Sequence, residues 1–303
     1  MQLDKTFTAK PGEIVPLTPL VRRVTAPNAG PMTFTGTNTY LIGDDPIAVL
    51  DPGPDDLVHF DALLAAIGWS RVAAIVVTHT HRDHSPLARQ LKQATGAPII
   101  GAGPHRFARP PAKGDINLDA AIDRQHAPDQ VLRHGQRIKL GSYALEAVAT
   151  PGHTMNHMCF ALHGVVQANT PAILFSGDHV MAWATTMIAP PDGHMTSYLE
   201  SLQLLLERPQ RLYLPAHGTI IGDAHSHVRA LLDHRTKREQ EILGLLQTDA
   251  RTVSSLVDQL YDDLSPSLRL AAGLSVLAHL ERLQALGKAD AGLGPVPMWC
   301  FSG

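Results

Sequence analysis

Thr78-His-Thr-His-Arg-Asp-His-Ser85 packs four side chains able to ligate a first-row metal, His79, His81, Asp83 and His84, into six residues. Just upstream, Val72-Ala-Ala-Ile-Val-Val77 is a short apolar, β-branched run that predicts a buried strand. Just downstream, Ser85-Pro86 predicts a helix start, with Ser as N-cap and Pro at the first helical position. Leu87, Leu91 and Ala94 give that helix one apolar face, and Gly96 ends it. The cluster therefore sits on a loop between two rigid elements, where ligands are held in place. Imidazole nitrogens and carboxylate oxygens suit zinc, whereas calcium or magnesium sites are built from oxygens. His79 and His81 can turn toward one ion, while Asp83 and His84 can serve a second.

The 303 residues allow one large domain, or a main domain with a small one. A content of 44% apolar and 17% charged residues suits a compact soluble protein. No apolar run is long enough for a membrane helix, and Met1-Gln-Leu-Asp-Lys-Thr-Phe7 lacks the apolar core of an export signal. Cys159 and Cys300 make neither a disulfide framework nor a metal-site spacing, so a reducing, cytoplasmic setting is expected. The net charge of −3 offers no basic footprint for duplex DNA.

Residues 1–30 are proline-rich and predicted extended. Thr33 to Ile42 predicts a strand broken at Gly36, and Ile47 to Leu50 a second strand closed by Asp51-Pro-Gly-Pro54. A helix follows over Leu57 to Ile67, and Pro98-Ile-Ile100 is a short strand. The long stretch from Gly103 to Asp129 has no periodicity, and a connection of that length in a compact domain suggests function. Ile138 to Val148 alternates like one strand, with further buried strands at Met158 to Leu162, Ala172 to Phe175 and Leu212 to Leu214. Ser197 to Glu207 reads as an amphipathic helix. After about residue 222 come three helices, His227 to Leu246, Thr252 to Tyr261 and Ser265-Pro266 to Leu286, then a strand-like tail, Val296 to Phe301. The expected division is residues 1–222 and a winged-helix-like unit over 223–303.

Three more candidate ligands, His153, Asp178 and His217, end predicted strands in the turns Thr150-Pro-Gly-His153, Ser176-Gly-Asp178 and Pro215-Ala-His-Gly218. Small residues there let the backbone bend sharply and bring a side chain close to an ion. Singly, each has a plain reading, and a lone strand-end histidine is more often a turn residue than a ligand; beside the 78–85 cluster the three weigh much more. Asp51 reads as an Asx-turn residue or as a hydrogen-bond acceptor for a ligand histidine. His157 either lines the pocket or bonds backbone, and His179 is expected to point away. His105, His126, His134, His163, His194, His225, His227, His234 and His279 are expected to be exposed or capping residues.

The motifs Thr-His-Thr-His-Arg-Asp-His84, Pro-Gly-His153, Ser-Gly-Asp178 and Ala-His217-Gly, in this order, resemble the metallo-β-lactamase superfamily over roughly residues 30–222. The resemblance implies an α/β (α+β) chain folded as a four-layer αββα sandwich with metals at one sheet edge. It implies two zinc ions, with manganese or iron as substitutes: His79, His81 and His153 on one, Asp83, His84 and His217 on the other, Asp178 bridging. Two ions roughly 3.5–4 Å apart share a water and lower its pKa toward about 7, making a hydroxide nucleophile. Asp83 would take the nucleophile's proton, and Asp51 would accept a hydrogen bond from a metal-bound imidazole.

True zinc β-lactamases place a cysteine where this chain has Asp178, and flavodiiron proteins replace the histidine at His81 by glutamate. Gly218-Thr-Ile-Ile221 differs from the glutathione-thioester hydrolases, which carry an aromatic residue there. Thr37-Asn-Thr-Tyr-Leu-Ile-Gly43, His234-Arg-Thr-Lys-Arg-Glu-Gln-Glu-Ile-Leu243 and the winged-helix-like tail resemble the β-lactamase-like protein 2 subfamily. That resemblance implies phosphodiester hydrolysis of single-stranded RNA. Against it, residues 225–303 carry eight Arg plus Lys to nine acidic residues, and Leu268 to Leu286 is mostly Ala, Leu and Ser. A helix that reads nucleic acid is basic or amide-rich. The tail therefore reads as a packing element, a lid over the metal cleft or a homodimer contact. Arg106, Arg109, Lys113 and Arg124 either hold a phosphorylated substrate or form a solvated loop. The leading reading is a di-zinc hydrolase of single-stranded RNA. The alternatives are a thioesterase for a small-molecule thioester other than glutathione's, and a non-catalytic metal-binding protein.

Overall fold

The computed structural model describes residues 3–164, 172–261, 264–293 and 296–302. Two twisted sheets face each other. The first has seven strands in sequential order: β1 (Ile14–Thr18), β2 (Val21–Thr25), β3 (Asn38–Ile42), β4 (Ile47–Leu50), β5 (Val72–Val77), β6 (Ile99–Gly101) and β7 (Gln130–Val131). The second has five, ordered β12 (Leu212–Pro215), β11 (Ile173–Gly177), β10 (Met158–His163), β9 (Tyr143–Ala149) and β8 (Arg137–Leu140). Tyr40, Leu50, Val76, Leu145, Phe160 and Phe175 interlock between the sheets. Helices α1 (Leu57–Ile67) and α2 (Leu87–Thr95) cover the outer face of the first sheet through Leu63, Ala66, Leu87 and Leu91. Helices α3 (Met195–Leu206) and α4 (Ala224–Leu246) cover the second through Tyr198, Leu202, Leu205, Val228 and Leu231. This is the expected four-layer αββα sandwich.

A smaller cluster joins Ile242 and Leu246 of α4 to Leu256 and Val257 of α5 (Val253–Leu260). Val276 and Leu280 of α6 (Pro266–Ala285) and Trp299 of the ribbon β13 (Ala289–Ala291) and β14 (Trp299–Phe301) complete it. Helix α4 thus belongs to both cores, its first half on α3 and its last turns on α5 and α6. Among the described residues no helix is long and apolar enough to cross a membrane.

Several expectations fail locally. Residues 14–25 are not merely extended: they form an antiparallel hairpin at a sheet edge, where Pro16 needs no ladder partner for a missing N–H. Ile138 to Val148 is two strands, because Gly141, at φ 65°, turns the chain between Leu140 and Tyr143. The strand expected from Thr33 begins only at Asn38. Gly36 lies at φ 115°, and a Cβ there would stand 2.2 Å from the Ala26 carbonyl. Ser85 does not cap α2: its hydroxyl instead donates to Asp123 Oδ2 at 2.7 Å, and Arg89 binds the same carboxylate.

Candidate metal centre

The site lies where β5, β9, β11 and β12 all end at one edge of the sandwich. The two sheets are stitched there by backbone: Met158 N–H donates to the Thr78 carbonyl and Asn38 N–H to that of Ala216. These bonds bring the four motif loops together from across the chain.

His79 Nε2, His81 Nδ1 and His153 Nε2 converge, with His81 Nδ1 3.1 Å from each of the other two. Asp83 Oδ2 lies 3.3 Å from His84 Nε2 and 3.2 Å from His217 Nε2. Asp178 sits between the groups, Oδ2 3.5 Å from His84 Nε2 and 3.6 Å from His153 Nε2, Oδ1 3.3 Å from His217 Nε2. All seven expected side chains meet in one place, in three overlapping clusters tight enough to hold an ion.

The outward nitrogens carry protons, as their partners show, and at His79, His81 and His153 this leaves the lone pairs facing inward. His81 Nε2 faces Asp192 Oδ2 at 3.0 Å, His153 Nδ1 the Met187 carbonyl at 2.8 Å, His84 Nδ1 Asp51 Oδ2 at 3.0 Å, and His217 Nδ1 the Gly36 carbonyl at 3.3 Å. Each partner can only accept, so each of these nitrogens bears the proton. His79 Nδ1 faces Thr78 Oγ1 at 3.0 Å, and that hydroxyl donates to Asp51 Oδ2 at 2.7 Å, so it accepts from His79. Lone pair against lone pair at 3.1 Å is repulsive unless a cation lies among them. His84 Nε2, His217 Nε2 and Asp178 Oδ1 are buried with no hydrogen-bond partner, as ligand atoms of a metal would be. The donor set, imidazole with carboxylate, fits zinc.

The electrostatics agree. Burial alone would lower His217, yet the Asp178 and Asp83 carboxylates raise it to about 10. Burial together with His84 and His81 holds His79 well below the usual imidazole range. Positive charge is favoured at the carboxylate end, while burial holds His79 and His153 below the usual imidazole range.

Asp51, fully buried at φ 49°, accepts from Thr78 N–H at 2.8 Å, from the Thr78 hydroxyl and from His84. His157 bonds backbone: its Nε2 accepts from the Asp178 N–H at 3.2 Å, while Nδ1 faces Thr150 Oγ1 at 2.8 Å. His179 packs on Tyr198, centroids 4.7 Å apart, away from the cluster. Several histidines expected to be exposed are buried instead: His105, His126, His225 and His279 each fill a packed interface, His126 bonding the Ala102 carbonyl and His279 facing Glu239. His194 does cap, accepting from Ser197 N–H. Asp192 escaped the sequence reading, because Pro190-Pro191-Asp192-Gly193 resembles any polar turn before a helix.

A cleft of about 460 Å³ opens on Asp83, His81, His153 and Asp178. Its walls include Met32, Met181, Trp183, Met187 and, from α6, Leu268 and Ala271, with Arg82 as their one arginine. Trp183 stacks on Phe34, centroids 4.9 Å apart and planes within 8°. Gly218 leaves them room, since a Cβ there would stand 3.0 Å from the indole. Three of the four loop cations weighed as phosphate holders are engaged: Arg109 with Asp115 and Glu281, Arg124 with Asp119, Arg106 with the Met155 carbonyl.

The sequence profile of the metallo-beta-lactamase superfamily matches residues 32–217, and that of the beta-lactamase associated winged helix domain matches residues 252–292. The chain belongs to the metallo-β-lactamase superfamily and is a metal-dependent hydrolase. Its relatives include a beta-lactamase-like protein 2 homolog of Drosophila melanogaster, 29% identical over 282 residues that cover 90% of each chain. An atrochrysone carboxyl ACP thioesterase of Aspergillus fumigatus is also 29% identical, over 81% of this chain and 71% of its own. Among solved structures, a beta-lactamase domain protein from Burkholderia ambifaria has a TM-score of 0.77 at 20% identity, covering 97% of this chain and 95% of that one.

Proposed function

We propose that this chain is a dinuclear zinc hydrolase that cleaves acyl thioesters, seating an apolar acyl group in the cleft beside Asp83. The observation that carries this reading is the lining of that cleft, mostly thioether, indole and aliphatic with Arg82, Thr33 and Thr185 among it, directly against the ligand cluster. Such a lining gains from burying hydrocarbon, at about 25 cal/mol per Å². Single-stranded RNA calls for a row of cations along its phosphates; Arg82 is the one arginine or lysine among the cleft's described lining, and the arginines of the 103–129 loop are held by carboxylates and a carbonyl. The relative named as an acyl-carrier thioesterase supports the same choice.

His79, His81 and His153 would hold one zinc, and Asp83, His84 and His217 the other, with Asp178 shared. When bound, the pair supplies an acidified water and polarisation of the substrate carbonyl. The chain's own groups do the rest. Trp183, Met181 and Met187 hold the acyl group and exclude water. Asp83, its side chain 26% exposed on the cleft, is the proton carrier. Desolvation would raise its carboxyl, but His84 and His217 hold it well below the usual range, so it is ionised. It takes a proton from the attacking water and returns it to the departing sulfur. The C–O bond forms, the C–S bond breaks, and acid and thiol leave.

Zinc-loaded protein assayed on a panel of acyl-CoA esters and on labelled single-stranded RNA tests the proposal. Thioester turnover that rises with acyl length is expected. RNA cleavage without thioester turnover would overturn it.

A further inference from the structure

One loop, Thr186 to Asp192, holds two imidazoles of the three-histidine half of the candidate centre, and its Thr186 hydroxyl also donates to the Asp178 carbonyl at 2.7 Å. Its Met187 carbonyl takes the His153 Nδ1 proton at 2.8 Å, and its Asp192 Oδ2 takes the His81 Nε2 proton at 3.0 Å. The other half is held elsewhere, His84 by Asp51 and His217 by the Gly36 carbonyl. Asp192 is 2% exposed, and its second oxygen lies 3.4 Å from His105 Nε2. The loop itself is clamped. The guanidinium of Arg235 on α4 donates to the Thr186 carbonyl, and Ala108 N–H donates to that of Pro191 at 2.8 Å.

Without Asp192, nothing described in this pocket would oblige His81 to protonate Nε2. The ring would be free to carry its proton on Nδ1, where a ligand lone pair is needed, and to rotate. A carboxylate also makes the opposite nitrogen a better donor to a metal than a neutral acceptor does.

We propose that Asp192 is a positioning residue for the three-histidine ion alone, fixing the His81 tautomer while the Asp83, His84 and His217 ion stays independent of it. The inference rests on the dinuclear reading above but not on the choice of substrate.

Competition with a calibrated chelator, using zinc and cobalt on the full chain, tests it in the wild type, Asp192→Ala and Asp192→Asn. In Asp192→Ala one dissociation constant is expected to rise about 10–100-fold, with the other within about twofold and one set of cobalt absorption bands lost. Asp192→Asn, whose Oδ1 still accepts from His81, is expected to raise the same constant less. It also carries the test if the alanine variant does not fold. Both constants unchanged in the variants would overturn the inference. So would both rising together with a lower metal-free melting temperature, which would make Asp192 a brace of the fold. Failure of the dinuclear reading itself shows separately, as a wild-type protein that takes up no ion, and overturns this inference with it.

Discussion

Replacing Asp51 by Asn changes one buried atom and tests how the centre is held. The backbone is not at issue, because Asn tolerates the left-handed conformation that Asp51 adopts at φ 49°. The amide Oδ1 can keep the Thr78 N–H bond. The amide nitrogen then stands where Oδ2 accepted two protons, from the Thr78 hydroxyl at 2.7 Å and from His84 Nδ1 at 3.0 Å. Donor now meets donor. His84 relieves this by moving its proton to Nε2, the atom that faces Asp83 and Asp178, and so ceases to be a ligand. Loss of such a supporting group lowers metal affinity about 10–100-fold, or about 1.4–2.8 kcal/mol. The Thr78 hydroxyl, fully buried, is left without an acceptor, which costs the metal-free fold about 1–3 kcal/mol. Chelator competition reads the first effect, and urea unfolding in excess EDTA the second. A variant that holds its zinc as tightly as the wild type would refute the tautomer argument, whatever its stability.

Asp83→Ala should abolish thioester turnover while at least one ion stays bound; an unchanged kcat would remove Asp83 from proton transfer. Trp183→Ala should flatten the dependence of kcat/KM on acyl length. The lost stack on Phe34 should also cost about 0.5–1.5 kcal/mol in unfolding experiments. Burial pushes His59 down to about 4 despite nearby Asp56, and burial with neighbouring Arg235 and Arg238 pushes His234 to about 4. The unfolded chain protonates them near pH 6.5, so stability falls as pH drops from about 6.5 to about 4, by up to about 3 kcal/mol for His59. His59→Leu should therefore show a shallower loss of urea midpoint between pH 7 and pH 5 than the wild type; an identical slope would contradict the assignment.

Much of the fold and of the centre was legible because the signals were local. Val72 to Val77 and Leu57 to Ile67 have unbroken apolar patterns, and the structure places both elements where the periodicity does. Four of the candidate ligands are neighbours in sequence, and the other three announce themselves by Gly or Pro turns. What escaped was set by distant partners. Asp192 meets His81 across 111 residues, and no pattern near either residue foretells it. Ser85 looks like a cap, but Asp123 competes for its hydroxyl, and a tertiary bond overrides the local one. The β1–β2 hairpin was hidden by Pro16 and Pro19, which suit an edge strand and a turn yet read as irregular chain. His126 and His279 read as surface residues because polarity alone suggests exposure, whereas their hydrogen bonds to the Ala102 carbonyl and Glu239 let them be buried.

The account stands on seven side chains gripping two cations. Anomalous scattering at the zinc edge from crystals of the zinc-loaded protein tests that most directly. Two peaks are expected, one about 2.0–2.1 Å from the inward nitrogens of His79, His81 and His153, the other equally close to those of His84 and His217. No peak at these residues, or zinc bound only elsewhere on the chain, would contradict it.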